Sequence, residues 1–192
     1  MRPSLCILAF TLTLALAGCI SMEDPAATEL RARAVPLTEF AGAYHTNAIR
    51  YSRMKGDAAT SRSIAFYLRG FTSAHVDEVS VESFEIEVSE GLAVTVFSEG
   101  SKAQRIEFVE GRDYTFEQGV IRFADKQSSE VLPEVAGHAA VTKTMSWMSD
   151  DQGHLVVAFG GHIVGTALYL IPFGVRGAGF AVFERKPNPL AK

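Results

Sequence analysis

The sequence predicts a mainly β protein, an antiparallel meander rolled into a small closed or half-open β-barrel with one short helix. Two observations carry the strands. Apolar residues alternate with polar ones in short runs, as at Phe84, Ile86 and Val88 between Glu85 and Glu87, which puts apolar side chains on one face of each strand. Glycine-bearing turns follow at a near-constant interval, Gly91, Gly100, Gly111 and Gly119 being spaced by 9, 11 and 8 residues. A third observation argues for closure: about eight to ten such runs are too many for one flat sheet facing water, and rolling the sheet removes its exposed edges.

In chain order, Phe40 to Tyr44 is the first expected strand. A helix follows, because Ile64, Leu68 and Phe71 recur at spacings of four and three; Asp57 or Ser61 is placed to cap its start and Gly70 to end it. The meander then runs through 84–88, 92–96, 106–108, 114–116 and 121–123. "KQSSEVLPEVAGHAA" after Asp125 reads as a loop. Strands resume over 141–148, turn at "SDDQG" (Ser149 to Gly153) and return over 154–159.

Residues 155–175, "LVVAFGGHIVGTALYLIPFGV", carry no charge apart from an imidazolium on His162. Their length suits a transmembrane helix, and Gly161 and Gly165 form a G-x-x-x-G pair. Gly160-Gly161, His162, Gly165, Pro172 and the many β-branched and aromatic residues favour strands instead, with Gly160-Gly161 as a hairpin turn, "GVRGAG" (Gly174 to Gly179) as the next turn and Phe180 to Phe183 as the last strand.

The N-terminus carries an address. Met1 and Arg2 precede an uncharged apolar stretch from Leu5 to Ala17, the layout of a secretory signal. It ends in Leu16-Ala17-Gly18-Cys19, which resembles the lipobox of bacterial lipoprotein signal peptides at all four positions. The resemblance covers about the first tenth of the chain. It implies cleavage between Gly18 and Cys19, a diacylglyceryl group on the Cys19 sulfur and acylation of the new amino group. Ile20, in place of an Asp, favours the outer membrane, facing the periplasm, in a Gram-negative cell. Two or three acyl chains hold a protein on a bilayer without any transmembrane helix, at about 0.8 kcal/mol per buried methylene.

The expected organisation is therefore a signal peptide at 1–18, a flexible tether at 19–36 after lipidated Cys19, a single β-rich domain at 37–187 and a tail at 188–192. Loss of 1–18 leaves 174 residues, enough for one sizeable core. Arg2 and Cys6 leave with the signal. The 18 basic residues become 17 against 22 acidic ones, a net charge of −5 that disfavours nucleic acid and anionic lipid. Cys19 is then the last cysteine, so no disulfide supports the fold.

The motifs of common chemistry are absent: no G-x-S-x-G, H-E-x-x-H, C-x-x-C, Walker loop or G-x-G-x-x-G occurs, no catalytic residue is assigned and no cofactor is implied. His138, His154 and His162 each follow a glycine, and convergence of three turns would let them share a metal with Asp150 or Asp151 as an oxygen ligand. Turn chemistry explains the same residues without a metal, and Asp150-Asp151-Gln152-Gly153 suits a hairpin turn. Glu82, Glu85, Glu87 and Glu90 mark the wet face of a strand and its edges. Met145, Trp147, Met148 and the many Phe residues suit a barrel interior. "FAGAY" (Phe40 to Tyr44) resembles the first-strand Gly-x-Trp of lipocalins, with Tyr44 in place of the Trp; the likeness is calycin-like architecture by analogy, and no lipocalin ligand carries over.

The expected function is a lipid-anchored envelope protein whose domain binds an apolar small molecule or scaffolds another envelope protein. An envelope hydrolase built on dispersed carboxylates and histidines, and a metal-handling lipoprotein using His138, His154 and His162, are the alternatives.

Overall fold

A computed structural model describes residues 19–23, 33–52, 63–72, 81–98, 103–132, 137–168 and 171–187. The expected signal peptide, residues 24–32 of the expected tether, the Asp57 and Ser61 caps and the 188–192 tail lie outside the described residues. The protein is mainly β, with antiparallel pairing almost throughout and, among the described residues, one short α-helix. In chain order the elements are β1 (Cys19–Glu23), a 3₁₀ turn (Leu37–Phe40), β2 (Gly42–His45), β3 (Arg50–Tyr51), α1 (Ile64–Arg69), β4 (Val81–Val88), β5 (Leu92–Ser98), β6 (Gln104–Phe108), β7 (Tyr114–Glu117), β8 (Val120–Phe123), β9 (Lys126–Leu132), β10 (Gly137–Ser149), β11 (Leu155–Ala167) and β12 (Ile171–Phe183).

Two sheets result. β2, β4, β5 and β6 form one, in that order. The other runs β1-β12-β11-β10-β8-β7, with β3 also on β12 and β9 also on β10. The sheets join along one side, where the chain leaving β12 crosses to β2: His45 N–H donates to the Glu184 carbonyl at 2.9 Å and Lys186 N–H to that of Ala43 at 2.8 Å. On the other side a turn over 109–113 links β6 to β7, held by Val109 N–H to the Asp113 carboxylate at 2.9 Å. The described strands therefore form an arrangement joined on one side rather than a closed ring.

The predicted meander is present as two pieces, β4-β5-β6 in one sheet and the β7-β8 hairpin in the other, because β6 and β7 do not pair, and the turns within each piece follow local rules. Gln118 and Gly119 both have positive φ, at 51° and 78°, the two-residue turn that matches strand twist. A Cβ on Gly119 would collide with the backbone of Ala34 and Val35, so glycine serves a close approach there as well. Ser63, rather than the expected Asp57 or Ser61, caps α1 by accepting from Ala65 N–H, because the helix starts only at Ile64, and Gly70 ends it as expected.

Five expectations need correction. Phe40 closes the 3₁₀ turn, and the first strand of its sheet begins at Gly42. The expected loop after Asp125 is largely strand, β9 pairing with β10 from Gly137↔Leu132 to Lys143↔Lys126. Gly160-Gly161 is no turn: β11 runs straight through it, in register with β10 and β12. Neither glycine has positive φ, whereas Leu168 does, at 50°, and the chain leaves β11 there. "GVRGAG" is likewise interior to β12. Finally, Cys19–Glu23 at the start of the expected tether is a strand, paired in parallel with Gly174 to Ala178.

The physical reason for the glycine errors is shared. Glycine relieves two constraints, backbone conformation and crowding, and sequence does not say which. A Cβ on Gly161 would strike the Thr142 carbonyl, and one on Gly165 the His138 carbonyl. Gly179 lies beneath Phe159 across the strand pair, where a Cβ would stand 2.8 Å from the ring. These glycines permit approaches that a Cβ would block. The absence of a helix also answers the membrane-span alternative: 155–167 and most of 171–183 are strands, and no helix among the described residues is long and apolar enough to cross a membrane.

The core lies between the four-stranded sheet and one half of the eight-stranded sheet. Phe123 sits at its centre, 4.8 Å from Trp147 and 5.0 Å from Phe108 between ring centroids, and Phe84 meets Phe183 edge-on at 5.6 Å. Each such pair contributes about 0.5–1.5 kcal/mol beyond area burial. Trp147, Met145, Phe84, Phe108, Phe123 and Phe183 thus fill the interior, as expected of these residue types, while Met148 packs on the opposite face beside Val156, Phe180 and Val182, and Phe66 and Phe97 are exposed.

Tyr44 fastens the seam between the sheets. Its ring stacks on Phe84 at 5.2 Å, its hydroxyl donates to the Phe40 carbonyl at 2.9 Å and accepts from Arg185 at 2.9 Å, and the guanidinium lies over the ring. Burial raises the phenol above its ordinary value, against the lowering effect of Arg185. Between the ordinary value of about 10 and the raised folded value, the unfolded chain ionises while the folded one stays protonated, so stability falls as pH rises through that window. Tyr44→Phe is expected to cost about 1–3 kcal/mol near neutral pH and to flatten this alkaline loss. Urea unfolding followed through Trp147, the single tryptophan, at neutral and alkaline pH checks both.

Candidate functional site

β10, β11 and β12 are each 13 residues long, about 43 Å at 3.3 Å per residue, whereas the longest strand of the covering sheet, β4, has 8 residues. The long strands therefore outrun their cover. Beyond Met145, Phe159 and Gly179 their core-facing side is roofed, among the described residues, only in part, by α1. A cavity of about 680 Å³ opens there, within the size range of small-molecule sites.

The cavity's chemistry follows from register. Val141, Ile163 and Val175 lie side by side on adjacent strands and supply an apolar floor. One step toward the core, Lys143, Gly161 and Gly177 align in the next row of that face, and the two glycines leave the floor bare. Tyr67 forms the roof at the core end: it is buried, 4.9 Å from Phe159 and 6.0 Å from Phe183 between centroids. Phe66 and Phe71 extend the wall along α1. A Cβ on Gly70 would touch the Lys143 side chain at 3.5 Å, so that aliphatic stem crosses to the C-terminus of α1 while Lys143 itself remains exposed. A cation near helix carbonyls is favourably placed. Arg69 and His162 complete the rim, and among the described residues no carboxylate lines the cavity. Such a lining suits an apolar body with an anionic end.

The histidines do not converge. His138 and His162 stand within strands rather than on turns, and both are exposed. His162 pairs with Thr142, four residues along β10 from His138, a separation of about 13 Å, far beyond the 2.0–2.1 Å of a zinc–nitrogen bond. His154 is farther away at the opposite end of β11. No group of three or more metal-ligating side chains occurs among the described residues.

Asp150 and His154 belong to a turn, as the residue types suggested. One Asp150 oxygen accepts from the N–H groups of Gln152 and His154 at 2.9 Å each, and the other meets His154 Nδ1 at 3.1 Å. Gly153 supplies the positive φ of 79° that closes it. Both carboxylate oxygens are thus engaged in holding the turn. Glu87 lies on the wet face, where Arg105 joins it at 2.6 Å and Glu107 at 3.1 Å; these hydrogen bonds, Glu87 foremost, raise the guanidinium's already high value.

The cavity was not visible in the sequence, since its walls come from α1 and three strands distant in chain order. The one available signal was the cluster of glycines in otherwise apolar strands. Gly161→Ala is expected to destabilise by about 1–3 kcal/mol through collision with the Thr142 carbonyl, read as a lower urea midpoint with an unchanged slope. The chain matches no protein-family model, no curated protein and no solved structure.

Proposed function

We propose that this is a lipid-anchored protein of the bacterial cell envelope whose β-rich domain binds an apolar small molecule with an acidic end. The observation that supports binding is the cavity under α1, with the apolar floor of Val141, Ile163 and Val175, the aromatic roof of Tyr67 and the Lys143 stem crossing its edge. Leu16-Ala17-Gly18-Cys19 supports the anchor, on the outer membrane facing the periplasm in a Gram-negative cell. The membrane is then one partner, through the acyl chains on Cys19. Long-chain fatty acids are the simplest molecules of the required chemistry: a flexible hydrocarbon fills an irregular apolar space, and a carboxylate at the rim keeps its hydration while facing Lys143.

Two measurements test the two halves. Mass spectrometry of the mature N-terminus is expected to show an acylated Cys19 as first residue, and Cys19→Ala to lose that mass; an unmodified chain retaining residues 1–18 overturns the anchor. For binding, a fluorescent long-chain fatty acid is titrated into the purified protein. Val175→Trp is expected to abolish the signal by filling the floor, and Lys143→Glu to weaken it about tenfold, or about 1.4 kcal/mol. If both variants fold and bind as the parent does, the cavity is not the site.

A further inference from the structure

We infer that the end of the eight-stranded sheet carrying the β11–β12 hairpin docks on a phospholipid bilayer, seated in the headgroup layer beside Cys19. This rests on the lipid-anchor assignment proposed above and adds a surface and an orientation to it.

The register places the anchor. Ser129, Ala140, Val164, Gly174 and Cys19 form one transverse row across five strands. Because β1 runs parallel to β12, Cys19 lies toward the Ile171 end, where β12 begins and β11 finishes. From that row β11 and β12 each continue three residues further, to Ala167 and Ile171, about 10 Å. An acylated Cys19 is held at the interface by its chains, so whatever extends past it toward the lipid enters the interface too. Ten ångströms is the depth to which interfacial elements bury their apolar faces, about 5–10 Å.

What extends past it is suited to that place. Val164 in the anchor's row is 55% exposed, and Leu168 at the end of the hairpin is 61% exposed. The sequence has no formal charge from Leu155 to Val175. The first is Arg176, two residues back from the row of Cys19 and thus at the height of lipid phosphates when the hairpin is seated. Glu130 stands one residue past the anchor's row, but on β9, four strands from β1 and about 19 Å from the anchor, so the seated surface is the β11–β12 side of this end, tilted to keep β9 out of the layer. Distance from the membrane is not free to vary, because pairing of Cys19 through Glu23 with β12 ties the anchor to the sheet. The acidic balance of the chain, 22 acidic against 18 basic residues, makes the contact apolar rather than electrostatic, so zwitterionic lipid suffices.

The test uses the processed protein reconstituted into zwitterionic vesicles containing headgroup spin-labelled lipid. An environment-sensitive fluorophore is placed on Leu168→Cys, on Val164→Cys, or on Gln152→Cys at the opposite end of the long strands; the second site keeps the test valid if a change at Leu168 disturbs the turn. Quenching and a blue shift at 168 and 164, with neither at 152, are expected, and 0.5 M salt is expected to leave them unchanged, as for apolar contacts. Acylated protein with equal quenching at both ends, or none at either, overturns the docking while leaving the anchor intact. Absence of acyl mass on Cys19 overturns both.

Discussion

A mismatch of length governs this structure. Three long strands are hydrogen-bonded to one another along their whole run, yet the second sheet reaches only half of it. Backbone pairing is satisfied throughout, so nothing in the hydrogen bonding compels the strands to stop where their cover stops. Side chains register the change instead. On the covered half Trp147, Val157, Ala181 and Phe183 are buried completely, while on the same face of the other half Ile163 and Val175 are only partly buried. The core belongs to one end of the sheet and the surfaces available for binding to the other.

The covered half has to supply the stability of the whole. With two cysteines, one of them in the first 18 residues, no cross-link unites the sheets. They are held by a continuous aromatic contact set from Phe108 through Phe123 to Trp147, and from Tyr44 through Phe84 to Phe183. The seam at β2 adds direction to this non-directional term. Two backbone hydrogen bonds cross it, and Arg185 reaches both the Tyr44 hydroxyl and the Glu39 carbonyl. Dispersion and burial bring the sheets together; the seam fixes how they sit.

The uncovered half is a consequence with uses. Gly161 and Gly177 leave the sheet under α1 without side chains to fill the space above it. Farther along, the sheet ends in a hairpin without charge, and the parallel pairing of β1 brings the first residue of the expected mature chain to that end. Cavity and Cys19 are neighbours for the same reason: Val175 lines the one, and Gly174, next to it, pairs with the other.

Local patterns were legible wherever one physical cause dominated. Alternation at 84–88 and 92–96, the turn at Gln118-Gly119, the Asp150 turn and the end of α1 at Gly70 each follow from period, φ or a side-chain acceptor, all properties of neighbouring residues. Sequence was ambiguous at Gly160, Gly161, Gly174 and Gly179, because a missing Cβ serves a turn or a close approach equally, and only the carbonyl of Thr142 or the ring of Phe159 decides between them. The strand in β9 was hidden by its polar composition, since an edge strand exposed to water needs no apolar side chains when β10 supplies its hydrogen bonds. By itself, then, the sequence determined the fold class, the hairpins β4-β5, β5-β6 and β7-β8 and the lipobox match at Cys19, because these depend on contiguous residues. Only tertiary structure decided where the strands end, which histidines stand apart and that a cavity exists, because each depends on register between segments distant along the chain.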